Sequence, residues 1–290
     1  MEGYLVIIVD LNQTMLSNLM MQLGNHLNAQ VEEGMVRHMV LNAIRSYKQK
    51  FGSEYGEMII ACDNTNYWRK QLFPYYKANR KKNIENSELN WKDIFECMNK
   101  IRAELKEFFP YRVIDVESAE ADDVIGTLVR EFSTELNTGI KILILSGDKD
   151  FIQLHTYPNV SQYDPVRKKW IKHEDPERFL HEHILKGDVG DGVPNVLSPD
   201  NCFVIGERQK PLTTKKIETI LSTEKEKMDT TLSRNFYRNE ALIDLSFTPE
   251  HIQRKIVEQY ETQKGKDRSK LMSYFITNKL KNLTEYISEF

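Results

Sequence analysis

Nine carboxylates fall in five short groups along the 290-residue chain: Asp10, Asp63, Glu120 with Asp122 and Asp123, Asp148 with Asp150, and Asp188 with Asp191. Hard oxygen ligands of this kind suit Mg2+, with Mn2+ able to substitute, and nine are more than one ion needs. Two such ions about 4 Å apart can activate water and stabilise the leaving oxygen of a phosphodiester. An acid capping a helix or facing its dipole is the ordinary reading of any one of these positions. What decides is whether the chain brings them together.

The elements that carry them say that it does. Ile142–Leu145 is an apolar run too short for a helix, and it closes on Ser146-Gly147-Asp148-Lys149-Asp150. Tyr4–Val9 ends in Asp10, and Glu57–Cys62 ends in Asp63. Such runs read as strands buried on both faces of a parallel sheet, which aligns their carboxyl ends. Ligands of open α/β sheets sit just beyond those ends. Tyr111–Val116 is a fourth, mixed strand candidate, and it leads into Ser118, read here as the N-cap of a helix carrying Glu120, Asp122 and Asp123 in its first turns.

A second group of residues suits a nucleic-acid strand. Within Tyr67–Lys82, Pro74 is placed to open a helix, on which Lys77, Arg80 and Lys81 would share a face and Tyr76 would neighbour Arg80. Cations meet phosphates and rings stack on bases, so Arg69, Tyr76, Lys77, Arg80 and Lys81 are candidate nucleic-acid contacts. The glycines of Lys186–Asn195, Gly190 and Gly192 among them, allow a backbone to approach phosphate closely, and Lys215 and Lys216 near a capped helix start extend that surface.

Composition allows this. Net charge is −3, but setting nine of the 43 acids aside in a metal site leaves 34 against 40 Lys and Arg, an excess of six positive charges elsewhere. Three scattered cysteines, Cys62, Cys97 and Cys202, form neither a disulfide framework nor a zinc spacing. The apolar run at Met1–Val9 has no basic leader, and no run reaches the ~20 residues of a membrane span, so a cytoplasmic protein with no membrane partner is expected. Helical stripes are expected across Met35–Phe51 and from Trp91 to Leu105, and the C-terminal region reads as helical with a break at Thr262–Ser269.

Two other classes fit less well. A haloacid-dehalogenase-like phosphatase needs a second aspartate two residues after Asp10, where this chain has Asn12, and an amide cannot act as general acid. A non-catalytic helix-hairpin-helix DNA-binding protein leaves the strand-end acids without a purpose. Metal-dependent catalysis accounts for both groups of residues.

The motifs Ile-Val-Asp10, Ala-Cys-Asp63, Glu120-Ala-Asp-Asp123, Ser-Gly-Asp148-Lys-Asp150 and Gly-Asp188-Val-Gly-Asp191 together resemble the 5′ nuclease (flap endonuclease) family, and within it the ribonuclease H type of T-even-like bacteriophages. Tyr67-Trp-Arg, Tyr75-Tyr-Lys, Asn79-Arg and the closing Ile287-Ser-Glu-Phe290 extend the resemblance over nearly the whole chain. It implies an α/β fold, a PIN-like, mostly parallel sheet flanked by helices, as a catalytic domain over residues 1–185 with an arch at about 64–90. Residues 186–290 would form a helical DNA-binding domain with a helix-hairpin-helix element. By matching position, Asp10, Asp63, Asp122 and Asp148 would hold one Mg2+, while Glu120, Asp150, Asp188 and Asp191 would hold a second directly or through water. Asp123 could serve either or neither, and Lys77 and Arg80 would meet the scissile phosphate from the arch. The implied activity is 5′-to-3′ removal of RNA primers from RNA–DNA hybrids in lagging-strand replication, with exonuclease and flap cleavage on branched DNA. A monomer acting in the cytoplasm of a host cell is implied, with single-stranded DNA-binding protein and sliding clamp as candidate partners.

Overall fold

A computed structural model describes residues 5–23, 32–87, 89–134, 140–224 and 227–290, with residues 81–83 and 85 described by their backbone alone. Six strands form one sheet in the order β3-β2-β1-β4-β5-β6: β1 Leu5–Asp10, β2 Glu57–Ala61, β3 Arg112–Ile114, β4 Lys141–Leu145, β5 Val160–Asp164 and β6 Lys169–Ile171. The first five are parallel, and β6 pairs antiparallel to β5 at the edge. The central strands are continuous apolar runs because helices cover both faces.

One face is covered by α1 Leu11–Leu23, α2 Glu33–Tyr55 and α5 Trp91–Phe108, and the other by α6 Ala121–Phe132. Between β2 and α5 lie the short helices α3 Trp68–Leu72 and α4 Ala78–Glu85. After β6 come α7 Pro176–Lys186, α8 Cys202–Ile205, α9 Thr214–Leu221, α10 Thr230–Ile243, α11 Glu250–Thr262, α12 Leu271–Thr277 and α13 Lys281–Thr284. Residues 187–213 separate α7 from α9. The chain after residue 185 does not keep to itself. Ile252, Ile256 and Tyr260 of α11 pack on the α6 face, while Leu271, Phe275 and Phe290 pack on the opposite face. The expected division at residue 185 therefore does not divide the core.

A third cluster matters for the site. Phe73 and Tyr76 pack with Ile184, Leu185, Val193, Ile217 and Phe236, joining the arch to α7, α9 and α10. Two local expectations change here. Pro74 does not open a helix, because Lys77 has a left-handed φ of 58° and α4 starts only at Ala78. Ser118 is likewise left-handed at φ 69°, and the N-cap of α6 is Glu120, whose backbone N–H donates to Asp123 at 2.9 Å.

Candidate active site

Register explains why the acids meet. Asp10 pairs level with Ala61 of β2, and Val9 pairs level with Leu145 of β4. Asp63 and Asp148 thus each lie two residues past Asp10's level, just beyond the ends of β2 and β4, the strands that flank β1 at about 4.8 Å on either side. Chain order reverses between β1 and β4, and such switch points open a crevice at the strand ends.

Short-range partners fix each carboxylate. Asp10 accepts from the backbone of Gln13 at 3.0 Å and from Ser146 Oγ at 3.1 Å. Asp63 accepts from Asn12 Nδ2 at 2.6 Å and from the backbone of Ala121, the first residue of α6, at 2.7 Å. Asp148 is tied by its own N–H to Ser146 Oγ at 3.1 Å and accepts from the N–H of Asp150 at 3.0 Å. Gly147 is needed here for packing: a Cβ on it would lie 2.8 Å from the carboxylate of Asp164.

Charge crowds these groups. Burial, with Asp63 and Asp148 adding to it, pushes Asp10 up to about 7. Burial and the neighbouring Asp150 push Asp148 up to about 6. Asp122 is pushed well up by burial and by the charges of Asp148, Glu120 and Asp63. Asp10, Asp122 and Asp148, each raised by burial and by neighbouring acids, lie close enough to Asp63 to feel its charge or one another's, and hard oxygen donors gathered in this way are of the type that suits a hard cation. The residues present fit Mg2+.

The nine acids do not form one pool. Glu120 and Asp123 are buried and paired: Arg69 reaches Glu120 and Asp123 at 2.9 Å each, and Lys77 Nζ donates to Glu120. Asp123 also accepts from Trp68 Nε1 at 3.2 Å and Thr248 Oγ1 at 2.8 Å. The expectation that Asp123 ligates metal gives way to a structural role, since its oxygens are taken by these donors. Asp191 accepts from Tyr76 OH at 2.7 Å and Arg80 at 2.6 Å, and Lys77 stands 3.7 Å away. Burial alone would raise Asp191, but Lys77 and Arg80 hold it below the usual carboxylate range.

Two expected nucleic-acid contacts are core residues instead. Arg69 is 2 % exposed, with Nε donating to Leu242 O at 2.9 Å, so its guanidinium is spent on buried partners. Tyr76 is 3 % exposed and its hydroxyl bridges Glu120 and Asp191, which leaves no ring face for a base. Buried acids need such donors, and the arch supplies them. Lys77 and Arg80 do converge on the acids, yet not through a shared helical face. The Lys77 N–H donates to Asp191 O at 2.7 Å, which fixes the left-handed turn. The side chain of Lys81 lies outside the described residues.

The turn at 188–193 docks on the arch. Asn79 Nδ2 donates to Val189 O at 2.8 Å and Arg80 Nε to Gly190 O at 3.3 Å. Gly192, at φ 72°, leaves room for Tyr75 O, which would stand 3.0 Å from a Cβ. Its missing side chain serves the arch, and phosphate approach at Gly192 is not what the space is used for. Lys215 and Lys216 are exposed at the start of α9, with Lys216 Nζ donating to Pro211 O at 3.1 Å.

Sequence reasoning missed His183. In the last turn of α7 its Nε2 lies 3.1 Å from Asp150 and 3.7 Å from Asp188. Burial would lower it, but those acids raise it. The signal was a histidine one helical turn ahead of Gly187-Asp188. Asn12, Gln13 and Ser146, which position Asp63, Gly147 and Asp10, were also missed, although each lies within three residues of a strand-end acid in sequence.

Comparison with known proteins agrees with this geometry. The family model described as 5′-3′ exonuclease, N-terminal resolvase-like domain, matches residues 7–183, and that described as T4 RNase H, C terminal, matches residues 175–290. Ribonuclease H of Enterobacteria phage T4 is 37 % identical over 297 residues, spanning 98 % of this chain and 95 % of that protein. Flap endonuclease Xni of Shewanella pealeana is 34 % identical over 137 residues, 44 % of this chain and 48 % of its own. A bacteriophage T5 flap endonuclease, crystallised with DNA and metal ions, shares the fold at TM-score 0.60 and 18 % identity, covering 89 % of this chain and 98 % of that one. T5 5′-exonuclease with zinc bound gives TM-score 0.59 at 16 % identity, covering 89 % of this chain and 99 % of that one. With strand-end acids, arch and full-length similarity in agreement, the chain belongs to the 5′–3′ exonuclease (flap endonuclease) family in its T4 ribonuclease H type, and it is a nuclease.

Proposed function

We propose that this nuclease hydrolyses phosphodiesters with two Mg2+ ions, removing RNA primers from RNA–DNA hybrids during lagging-strand replication and cleaving 5′ ends and flaps of branched DNA. The convergence of Asp10, Asp63, Asp122 and Asp148 at the switch point carries this reading. They would hold one ion, and Asp150 and Asp188 the second. Bound there, such ions lower the pKa of water and neutralise charge on the phosphodiester. Mn2+ would substitute.

The chain's own residues do the rest. Ser146, Gln13 and Asn12 hold the first carboxylates in place, so little reorganisation is needed on binding. Lys77 and Arg80 pair with Glu120 and Asp191 next to those carboxylates, where a phosphate at the ions would meet them. Lys215 and Lys216 offer exposed charge to duplex backbone, which positions without reading sequence. Glu120 and Asp191 tie the arch to the metal side through Lys77, so arch position and ion binding are linked. Among the described residues no helix is long and apolar enough to cross a membrane. Action as a monomer in the cytoplasm of a host cell is part of the same proposal, and similarity to a phage ribonuclease H supports its host-cell setting.

The test is product analysis on matched RNA–DNA, nicked and 5′-flap substrates with Mg2+ or with excess EDTA. Short products from the 5′ end, only with the metal, are expected. Cleavage that persists in EDTA, or that starts from 3′ ends, refutes the proposal.

A further inference from the structure

We infer that His183 is a protein ligand of the second ion, making that position a mixed nitrogen–oxygen site that prefers Mn2+, Co2+ or Zn2+ over Mg2+. The inference deepens the two-ion reading and rests on it.

Geometry comes first. Ligand atoms of Asp150, His183 and Asp188 all lie within 4.8 Å of one another. Donors on one ion at about 2.0–2.2 Å sit roughly 3.0–3.6 Å apart, so 3.1 Å from His183 Nε2 to Asp150 and 3.7 Å to Asp188 need little adjustment. The Nε2 atom is itself buried and has no hydrogen-bond partner of good geometry among the described residues. A buried ring nitrogen standing 3.1 Å from one carboxylate and 3.7 Å from another, without a well-aligned hydrogen bond to either, is placed as a ligand is before its ion arrives.

The mounting is rigid on all three sides. Phe179, one turn earlier on α7, lies 13° from the imidazole plane at 5.9 Å between centroids, which holds the ring's direction. Asp188 accepts from the Asp191 N–H on Oδ1 at 2.9 Å, leaving Oδ2 toward His183. Gly187 joins α7 to that turn at φ 68°, and a Cβ there would come within 2.4 Å of Val193 O, so helix and turn close directly on each other. Asp150 begins the short 3-10 helix Asp150–Thr156 against which α7 packs. Pre-positioned donors of this sort set ion choice through ligand type. Imidazole nitrogen suits first-row transition ions, whereas Mg2+ prefers oxygen and retained water. The strand-end position, with oxygen donors alone, keeps no such preference.

The same three atoms would also fit an imidazolium that only neutralises two acids, and the experiment separates the cases. Full-length protein is loaded with two equivalents of Mn2+, unlabelled or with 15N-histidine, and studied by pulsed electron paramagnetic resonance beside calorimetric titration. A nitrogen coupling on bound Mn2+ that changes with the 15N label and vanishes in His183→Gln is expected. The variant should also lose about tenfold or more in Mn2+ affinity at one site, with Mg2+ affinity nearly unchanged. Absence of nitrogen coupling in the wild type, or its survival in His183→Gln, overturns the inference. Stoichiometry judges the underlying reading separately: one bound ion that still shows the coupling keeps His183 as ligand and sinks the two-ion scheme.

Discussion

Replacing Asp10 by asparagine should stabilise the metal-free protein, and by an amount the structure supplies. Asp10 is 7 % exposed and its carboxyl rises from the ordinary 3.8 to about 7 in the folded chain. The sign follows from proton counting. A folded state that holds a proton the unfolded chain releases loses stability as pH climbs from the unfolded to the folded pKa. A rise of about three units is worth at most about 4 kcal/mol, fully lost by about pH 7. The amide of Asp10→Asn would not titrate, and its side-chain oxygen keeps the bond from the Gln13 N–H. With an unfolding entropy near 0.6 kcal/mol/K for 290 residues, the variant should melt up to about 7 °C above wild type at pH 8 in EDTA, and within a degree or so of it near pH 4. Mg2+ at about a hundred times its dissociation constant should add roughly 2.7 kcal/mol to the wild type and little to the variant. The assay is thermal unfolding followed by circular dichroism across pH 4–8, with EDTA or Mg2+. If the variant is no more stable than wild type at pH 8 without metal, the crowding argument fails. If Mg2+ stabilises both equally, Asp10 does not hold an ion.

Other outcomes follow from the same charge arrangement. Lys77→Ala should slow single-turnover cleavage on the order of 100-fold if its ammonium stabilises transition-state charge, and an unchanged rate returns it to a purely structural part. Arg69→Met should cost about 3–5 kcal/mol by stranding the buried Glu120 and Asp123, read as a lowered denaturant midpoint; an intact fold with weakened DNA binding instead would restore Arg69 to the interface. Asp188→Asn should leave residual cleavage that recovers with added divalent ion, while Asp10→Asn should not recover, and equal responses in a metal titration would contradict the division into two sites. Binding to duplex should weaken steeply with salt and show no preference among sequences of equal structure, as competition assays would reveal.

How much of this could be read from the chain depended on the range of the interactions. β1, β2 and β4 were legible because each is an apolar run closed by an acid, and parallel pairing forces those ends together. α5 and α6 carried clear apolar stripes, and the break after Thr262 stands where α11 ends. β5 and β6 were not legible. Val160–Asp164 and the edge strand Lys169–Ile171 are short and partly exposed, so neither alternation nor a long apolar run marks them. The arch misled for a different reason. Cations and aromatics between residues 67 and 82 look alike whether they face DNA or the interior. What drew Arg69 and Tyr76 inward was Glu120, 51 and 44 residues away in sequence. His183 was hidden in part in the same way, since Asp150, 33 residues earlier, becomes its neighbour only when α7 folds back on the strand ends.

The two arch cations therefore cannot be interchangeable, although both point at the same acids. Lys77 is held twice: its backbone N–H donates to Asp191 O in a left-handed turn, and its side chain, 10 % exposed, places the ammonium between Glu120 and Asp191. A non-glycine residue kept at positive φ costs of order 1 kcal/mol and persists where the surroundings fix it, which is common at working sites. Arg80 is held by Asp191 alone through its side chain and a long bond to Gly190 O, with 53 % of the side chain exposed. Screening by water makes that pair weak, so an incoming phosphate can exchange with Asp191 for the guanidinium at little cost. Lys77 leaving Glu120 would instead uncover a buried carboxylate. Arg80 is the cation free to follow the substrate, and Lys77 is the fixed charge against which it is placed. Arg80→Ala should accordingly raise the apparent dissociation constant for DNA, whereas Lys77→Ala should act on the rate of the bound complex. Equal effects of the two variants on both quantities would remove the distinction.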